Sequence, residues 1–331
     1  MPASAITEDA CLDALRATPG DAQRWAVFAD LLQGRGDVRG QLIALSLSGR
    51  ARTERQLRDK HRAHLGSPAF WNLLDTGALA PEWGFGHLRC AVLKFSPQPD
   101  ADGAEPDANR FDPADLEAVL ASPLACALEV LKLFLPPDAQ AASRALDVLR
   151  DRRPSVHRLE LTADLTSDAL QVEGLLEALP RVTFAKLYGI TSLVGLSSSR
   201  LESLVAWVSD WDGAPSCQLG RLDAPLLRAL ELRVRSETQP ALTRWLREDV
   251  NAPSLRRLDV EAFVTSQLID AIADAPFAAT LERLRVLTID EASAQALLTR
   301  RESFPRLRRV DTRFFRTSQA VEARVRAAFQ G

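Results

Sequence analysis

Few residues of this chain could do chemistry, and their spacing works against it. His61 and His64, in HRAH, are the one close histidine pair. Zinc on a helix face favours an i, i+4 pair with a third ligand nearby. This pair is three apart, and His87 and His157 give no local support, so both read as solvated helix residues. Asp100, Asp102, Glu105 and Asp107 invite a calcium reading. Counted from Asp100, the sixth and twelfth places hold Glu105 and Phe111, where a calcium loop needs Gly and Glu. An exposed acidic loop, able to serve as a docking element, is the better reading. Cys11 lies close to Asp13, but nothing around it suggests the lowered thiol pKa that a nucleophile needs. GRGDVRG lacks the dinucleotide-binding spacing and a preceding strand. No Ser-His-Asp elbow or phosphate loop is visible. The expectation is a chain that is not an enzyme, with no metal and no cofactor.

Composition narrows the remaining classes. A chain of 331 residues and 36.3 kDa suits two domains or one elongated array. It is 46% hydrophobic and 26% charged, which excludes wholesale disorder. A net charge of −3 argues against a dedicated nucleic-acid binder. No apolar run approaches the ~20 residues of a spanning helix, and the first residues carry no basic and apolar leader. Cys11, Cys90, Cys126 and Cys217 form no CxxC and suggest no disulfide framework. A cytoplasmic protein with reduced thiols, away from membranes, is expected.

The elements that must position any site follow from internal repetition. Apolar residues recur at places one, four and six of short segments: Leu227-Leu230-Leu232, Leu255-Leu258-Val260, Leu281-Leu284-Val286 and Val156-Leu159-Leu161 are clear copies. Segments begin at 88, 128, 156, 182, 201, 227, 255, 281 and 307, and steps of 26 or 28 residues dominate. Between them lie helix-like stretches: Leu242, Trp245 and Leu246; Leu268, Ile269 and Ile272; Val321, Val325 and Phe329. Each unit is a strand followed by a helix, too small to bury its own apolar face unless neighbours stack. The step from Val182 to Leu201 is too short for a full helix, and the first step carries a Pro- and Asp-rich insert near 96–113.

The L-x-x-L-x-L segments resemble a degenerate leucine-rich repeat array over residues 85–331. That implies an α/β solenoid with parallel strands inside and helices outside. The Asn or Cys that this family places ninth is missing: those places hold Ser96, Pro136, Asp164, Ile190, Ser209, Arg235, Phe263, Ile289 and Phe315. Ahead of the array, residues 6–65 read as helices, with Asp21 as a cap and Trp25, Phe28, Leu31 and Leu32 on one side. The run from LDALRATPGD to GDVRGQLIAL, carrying Pro19, Asp21, Phe28, Ala29, Asp30, Leu32, Gly36, Asp37, Arg39 and Ile43, resembles the bacterial repeat-companion domain. The resemblance implies a helical cap domain over 1–84, joined to repeats, and no particular reaction.

Because side chains alternate along a strand, places three, five and seven face away from the leucines. They hold Phe134, Arg158, Lys186, Tyr188, Trp207, Glu231, Arg233, Arg257, Asp259, Arg283, Arg285 and Arg309. Arg257, Arg283 and Arg309 should form a column, with Asp259 and Asp311 flanking Arg285. Exposed aromatics and arginines are enriched at binding hot spots, so the expected function is an adaptor that binds another protein through the concave face. The interleaved acids weaken a nucleic-acid reading. The alternative is a regulator of a partner enzyme, engaged through the acidic loop or the helical module.

Overall fold

The computed structural model describes residues 7–94, 112–135, 138–163, 172–190, 192–208, 219–234 and 239–329. The four acids of the calcium reading and Cys217 lie outside them. The fold is α/β with predominantly parallel pairing and, among the described residues, no closed barrel. No described helix is long and apolar enough to cross a membrane. Packing divides the chain into two units, 1–136 with 140–159, and 137–139 with 160–331.

The first unit opens with helices α1 (Glu8–Ala17), α2 (Ala22–Gln33), α3 (Val38–Leu47), α4 (Ala51–Lys60), α5 (Arg62–Leu65) and α6 (Pro68–Asp75). Asp21 caps α2 by accepting hydrogen bonds from the backbone N–H of Gln23 and Arg24, which satisfies donors that the helix leaves free. Trp25, Phe28 and Leu32 then face Leu12, Leu15 and Ile43 in one buried cluster. The antiparallel hairpin β1 (Leu79–Gly84) and β2 (His87–Leu93) follows. Its turn glycine, Gly86, has φ +75°, and a Cβ there would meet the backbone of Leu42 at 2.6 Å. The helices and hairpin are thus packed too closely for any other residue. The unit continues with α7 (Pro113–Leu120), β3 (Val130–Phe134), parallel to β2, and α8 (Ala139–Arg152).

Within the first unit the helices before residue 84 and the hairpin around it pack as one body. The reason lies in side chains shared between helices and hairpin. Trp25 stacks on His87 at 4.1 Å, and Arg58 of α4 lies over Trp83 of β1 at 3.7 Å. The polar sequence of α4 also hides a buried pair, Glu54 with Arg58 at 2.9 Å.

The division falls within β4 (Arg158–Thr162). The second unit then runs α9 (Leu175–Ala178), β5 (Phe184–Ile190), β6 (Leu196–Ser197), β7 (Ser203–Val208), β8 (Leu222–Asp223), β9 (Ala229–Val234) and α10 (Gln239–Glu248). It closes with β10 (Val250–Asn251), β11 (Arg257–Val264), α11 (Ser266–Asp274), β12 (Arg283–Ile289), α12 (Glu291–Thr299), β13 (Arg309–Phe314) and α13 (Gln319–Phe329). Strands pair in the order β5-β7-β9-β11-β12-β13, all parallel. The short link between β5 and β7 holds β6 and no described helix.

Repetition is visible in the backbone. The carbonyl at place two of each segment accepts the N–H groups of places two and three in the next: Thr183 from Glu202 and Ser203, Glu202 from Arg228 and Ala229, Arg228 from Arg256 and Arg257, Arg256 from Glu282 and Arg283. A turn also precedes each of the last four segments, closed by the place-one N–H on the carbonyl three residues earlier: Leu227 to Ala224, Leu255 to Ala252, Leu281 to Ala278, Leu307 to Phe304. Each of those earlier residues is buried, so the recurring Ala-Pro dipeptides 224–225 and 252–253 are part of the repeat. A small parallel sheet, β6-β8-β10, stitches these turns together through buried Leu196, Leu222 and Val250. Residues at places one, four and six of the central segments are fully covered, Leu230, Leu232, Leu255, Leu258 and Leu284 among them. The helices α10, α11, α12 and α13 pack successively.

Candidate functional site

The side of the second unit's sheet that carries places three, five and seven gathers most of the residues singled out from sequence. Across β5, β7 and β9 the seventh places hold Tyr188, Trp207 and Arg233, and these are register neighbours. Tyr188 meets Trp207 edge-on, with ring centroids 4.6 Å apart at 75°. Lys186 sits over Tyr188 at 4.7 Å and Arg233 over Trp207 at 5.4 Å. Arg233 in turn pairs with Glu261 at 2.7 Å and Glu231 at 3.4 Å. Trp207 nevertheless remains 40% exposed. It is an aromatic surface fixed on both sides by cation–π and edge contacts and open on the third.

The ladder owes its geometry to a bulge. Register shifts between Tyr188 and Ile190, with Gly189 in the left-handed region at φ +68°. A Cβ on Gly189 would fall 1.8 Å from the carbonyl oxygen of Ala163. Bulges re-aim neighbouring side chains, and here the aimed residue is Tyr188.

On β11, β12 and β13 the expected arginine column is present: Arg257 pairs in register with Arg283, and Arg283 with Arg309. Its charge is answered from within. Arg257 donates to Asp259 Oδ2, its Nε at 3.0 Å, and that bond, more than proximity alone, holds its pKa above the ordinary range. Asp311 accepts from Arg283 through Oδ2 and from Arg309 through Oδ1, both at 2.8 Å. Burial acts to raise the Asp311 pKa, but the two guanidinium groups outweigh it and hold the carboxyl below its usual range. Asp259 and Asp311 flank Arg285 in register, as the sequence spacing places them. Those acids bond the column arginines Arg257, Arg283 and Arg309, and Arg285 stays exposed with no described acid as partner. Arg257 and Arg309 reach the aspartate two residues on along their own strands, and Arg283 reaches across to Asp311 on the next strand.

Phe134, 40% exposed, and Arg158, also exposed, belong to the first unit, on β3 and β4. Asp259 lies on the selected side yet is buried, 3% exposed, beneath its charged neighbours. Two exposed apolar residues were missed. Leu287, 44% exposed, occupies the seventh place after Leu281, so the same alternation would have found it. Phe315, 47% exposed, follows β13 with Arg316 over its ring at 5.1 Å; only its ninth-place position marked it.

The catalytic candidates do not assemble. His61 and His64 stand with ring centroids 6.2 Å apart. Cys11 is buried, and burial pushes its thiol pKa up, away from a thiolate. Among the described residues no group of three His, Cys, Asp or Glu could hold a metal ion. In comparisons with known proteins, no family model matches this sequence and no curated protein matches it.

Proposed function

We propose that this chain is a non-catalytic adaptor whose second unit is a leucine-rich repeat stack that binds another protein through the strand side opposite its helices. The observation that carries the reading is Trp207: a large aromatic, 40% exposed, locked between Tyr188 and Arg233. Trp, Tyr and Arg are the residues that dominate binding energy at protein interfaces, above all when preorganised. The recurring backbone bond from place two, the common turn before place one and the steps of 26 or 28 residues support the repeat reading. The first unit, with its helices packed against the β1-β2 hairpin, suits the role of a cap on repeats, as the repeat-companion likeness implies.

The test is affinity capture from native lysate with mass spectrometry, run beside Trp207→Ala combined with Tyr188→Ala. A partner held by the wild type and lost by the folded variant supports the reading. Equal capture by both moves binding elsewhere on the chain. Reversing Arg257, Arg283 and Arg309 would be a poorer test, because each is bonded to an aspartate and the change would disturb the sheet itself.

A further inference from the structure

The polar helix α4 borders a cavity of about 550 Å³ that lies wholly within the first unit, the size of a small-molecule site. Trp71, Trp83, Leu74 and Pro81 give it an apolar wall, and Arg55, Arg58 and Arg62 a cationic lining. Two of those cations are seated on the wall: Arg58 over Trp83 at 3.7 Å and Arg62 over Trp71 at 4.9 Å. A cation held in this way has little freedom left to lose when it takes a ligand.

Arg58 is 7% exposed, yet its only hydrogen bond runs from Nη2 to Glu54, at 2.9 Å. Nε is sealed and has no partner, whereas Nη1 is unbonded without being sealed. Nη1 is therefore the donor that Arg58 can offer to the cavity it lines. Burial holds the Arg58 pKa below the ordinary guanidinium range, and the Glu54 carboxylate offsets this only in part. A buried cation short of acceptors is costly. The surrounding charges do not make up the deficit. Arg62 is answered by Asp75 at 2.7 Å and by Asp59. Arg55 is exposed with no described acid as partner, and its like charge bears on Arg58. Arg55 and Arg58 are thus set against Glu54 alone, one positive charge in surplus.

We propose that this cavity binds a small organic monoanion, a carboxylate borne on a flat apolar body, with Arg58 and Arg55 receiving the carboxylate and Trp83 and Pro81 covering the body. A guanidinium is a planar fork whose donors match a carboxylate. A single negative charge cancels the surplus, whereas a phosphate dianion overshoots it and meets Glu54 as a like charge. The site stands apart from the protein-binding reading of the second unit, and neither depends on the other.

The test is a titration of the full chain, labelled with fluorotryptophan, by phenylpropionate near about pH 7, where the carboxylate is ionised. Fluorine NMR reads the Trp83 signal, which Trp83→Phe identifies. Saturable shifts are expected, with phenylpropionamide and acetate at least about tenfold weaker, a difference of about 1.4 kcal/mol. Arg55→Gln, at an exposed position, should weaken binding several-fold. Glu54→Gln removes the internal rival for Arg58 and should tighten binding several-fold. Arg58→Gln should abolish it; where that variant fails to fold, the Arg55 and Glu54 variants decide. No saturation, equal binding of the amide, or indifference to Arg55→Gln or to Glu54→Gln in folded protein overturns the proposal. Phenyl phosphate binding more tightly than phenylpropionate overturns the carboxylate in favour of a phosphate ester.

Discussion

The first unit should lose stability as pH falls, through one residue. His87 is 3% exposed, stacked on Trp25, and its ring nitrogens have no hydrogen-bond partner of full geometry. Burial holds its pKa down, to about 4, and the nearby backbone of Phe85 and Ala127 offsets this only in part. In the unfolded chain a histidine titrates near about 6.5. The folded pKa is therefore the lower one, and the unfolded state takes up the proton first. The stability this residue protects is intact above about pH 6.5, declines as pH falls, and is fully lost below about pH 4. The whole interval is worth about 3 kcal/mol, and the part between neutral pH and about pH 5 is worth about 2 kcal/mol. The assay is guanidinium unfolding followed by Trp fluorescence near pH 7.5 and pH 5, for the wild type and for His87→Phe. The variant keeps an aromatic ring on Trp25 and removes the proton site. Packing changes then appear at both pH values, and other titrating groups cancel in the comparison. The wild type should lose about 2 kcal/mol more than the variant on acidification. Equal losses, or a His87 NMR titration centred above about pH 6, would refute the reasoning.

Further outcomes follow from the same packing. Leu258→Ala, at a fully covered place four, should cost about 2–5 kcal/mol in chemical denaturation, because stacked strands and helices leave little room to collapse. Gly189→Ala should destabilise by more than the roughly 0.4–1 kcal/mol that a glycine replacement gains where the backbone allows it, since both its φ and the Ala163 carbonyl forbid a Cβ. Its melting curve should shift well beyond that of an alanine placed at Gly49, where the space around the glycine is open. Trp207→Ala with Tyr188→Ala should leave thermal stability close to wild type, since the ring contacts removed are each worth only about 0.5–1.5 kcal/mol; a collapse in thermal melting would show these rings to be core.

Much of the second unit was legible in the chain itself. Period-two alternation within segments and a period of 26 or 28 between them fix which residues are covered, because a strand can turn its leucines only one way. Even Val182-Ala185-Leu187, a poor copy, is fully buried in register with its neighbours. The Ala-Pro turn before place one went unread in the sequence and came to light only through its backbone bonds, which tie the chain down before the strand. Tertiary structure alone decided how charges pair, since an aspartate at place five can reach arginines on its own strand or the next. It also decided that Asp259 is buried with one oxygen unanswered, that Arg285 is left over, and that the polar helix α4 hides Glu54 and Arg58 against Trp83. Covering an apolar stripe is a local demand that sequence spacing states outright; choosing among several salt-bridge partners depends on distances of an ångström or less, and those exist only once the strands have been laid side by side.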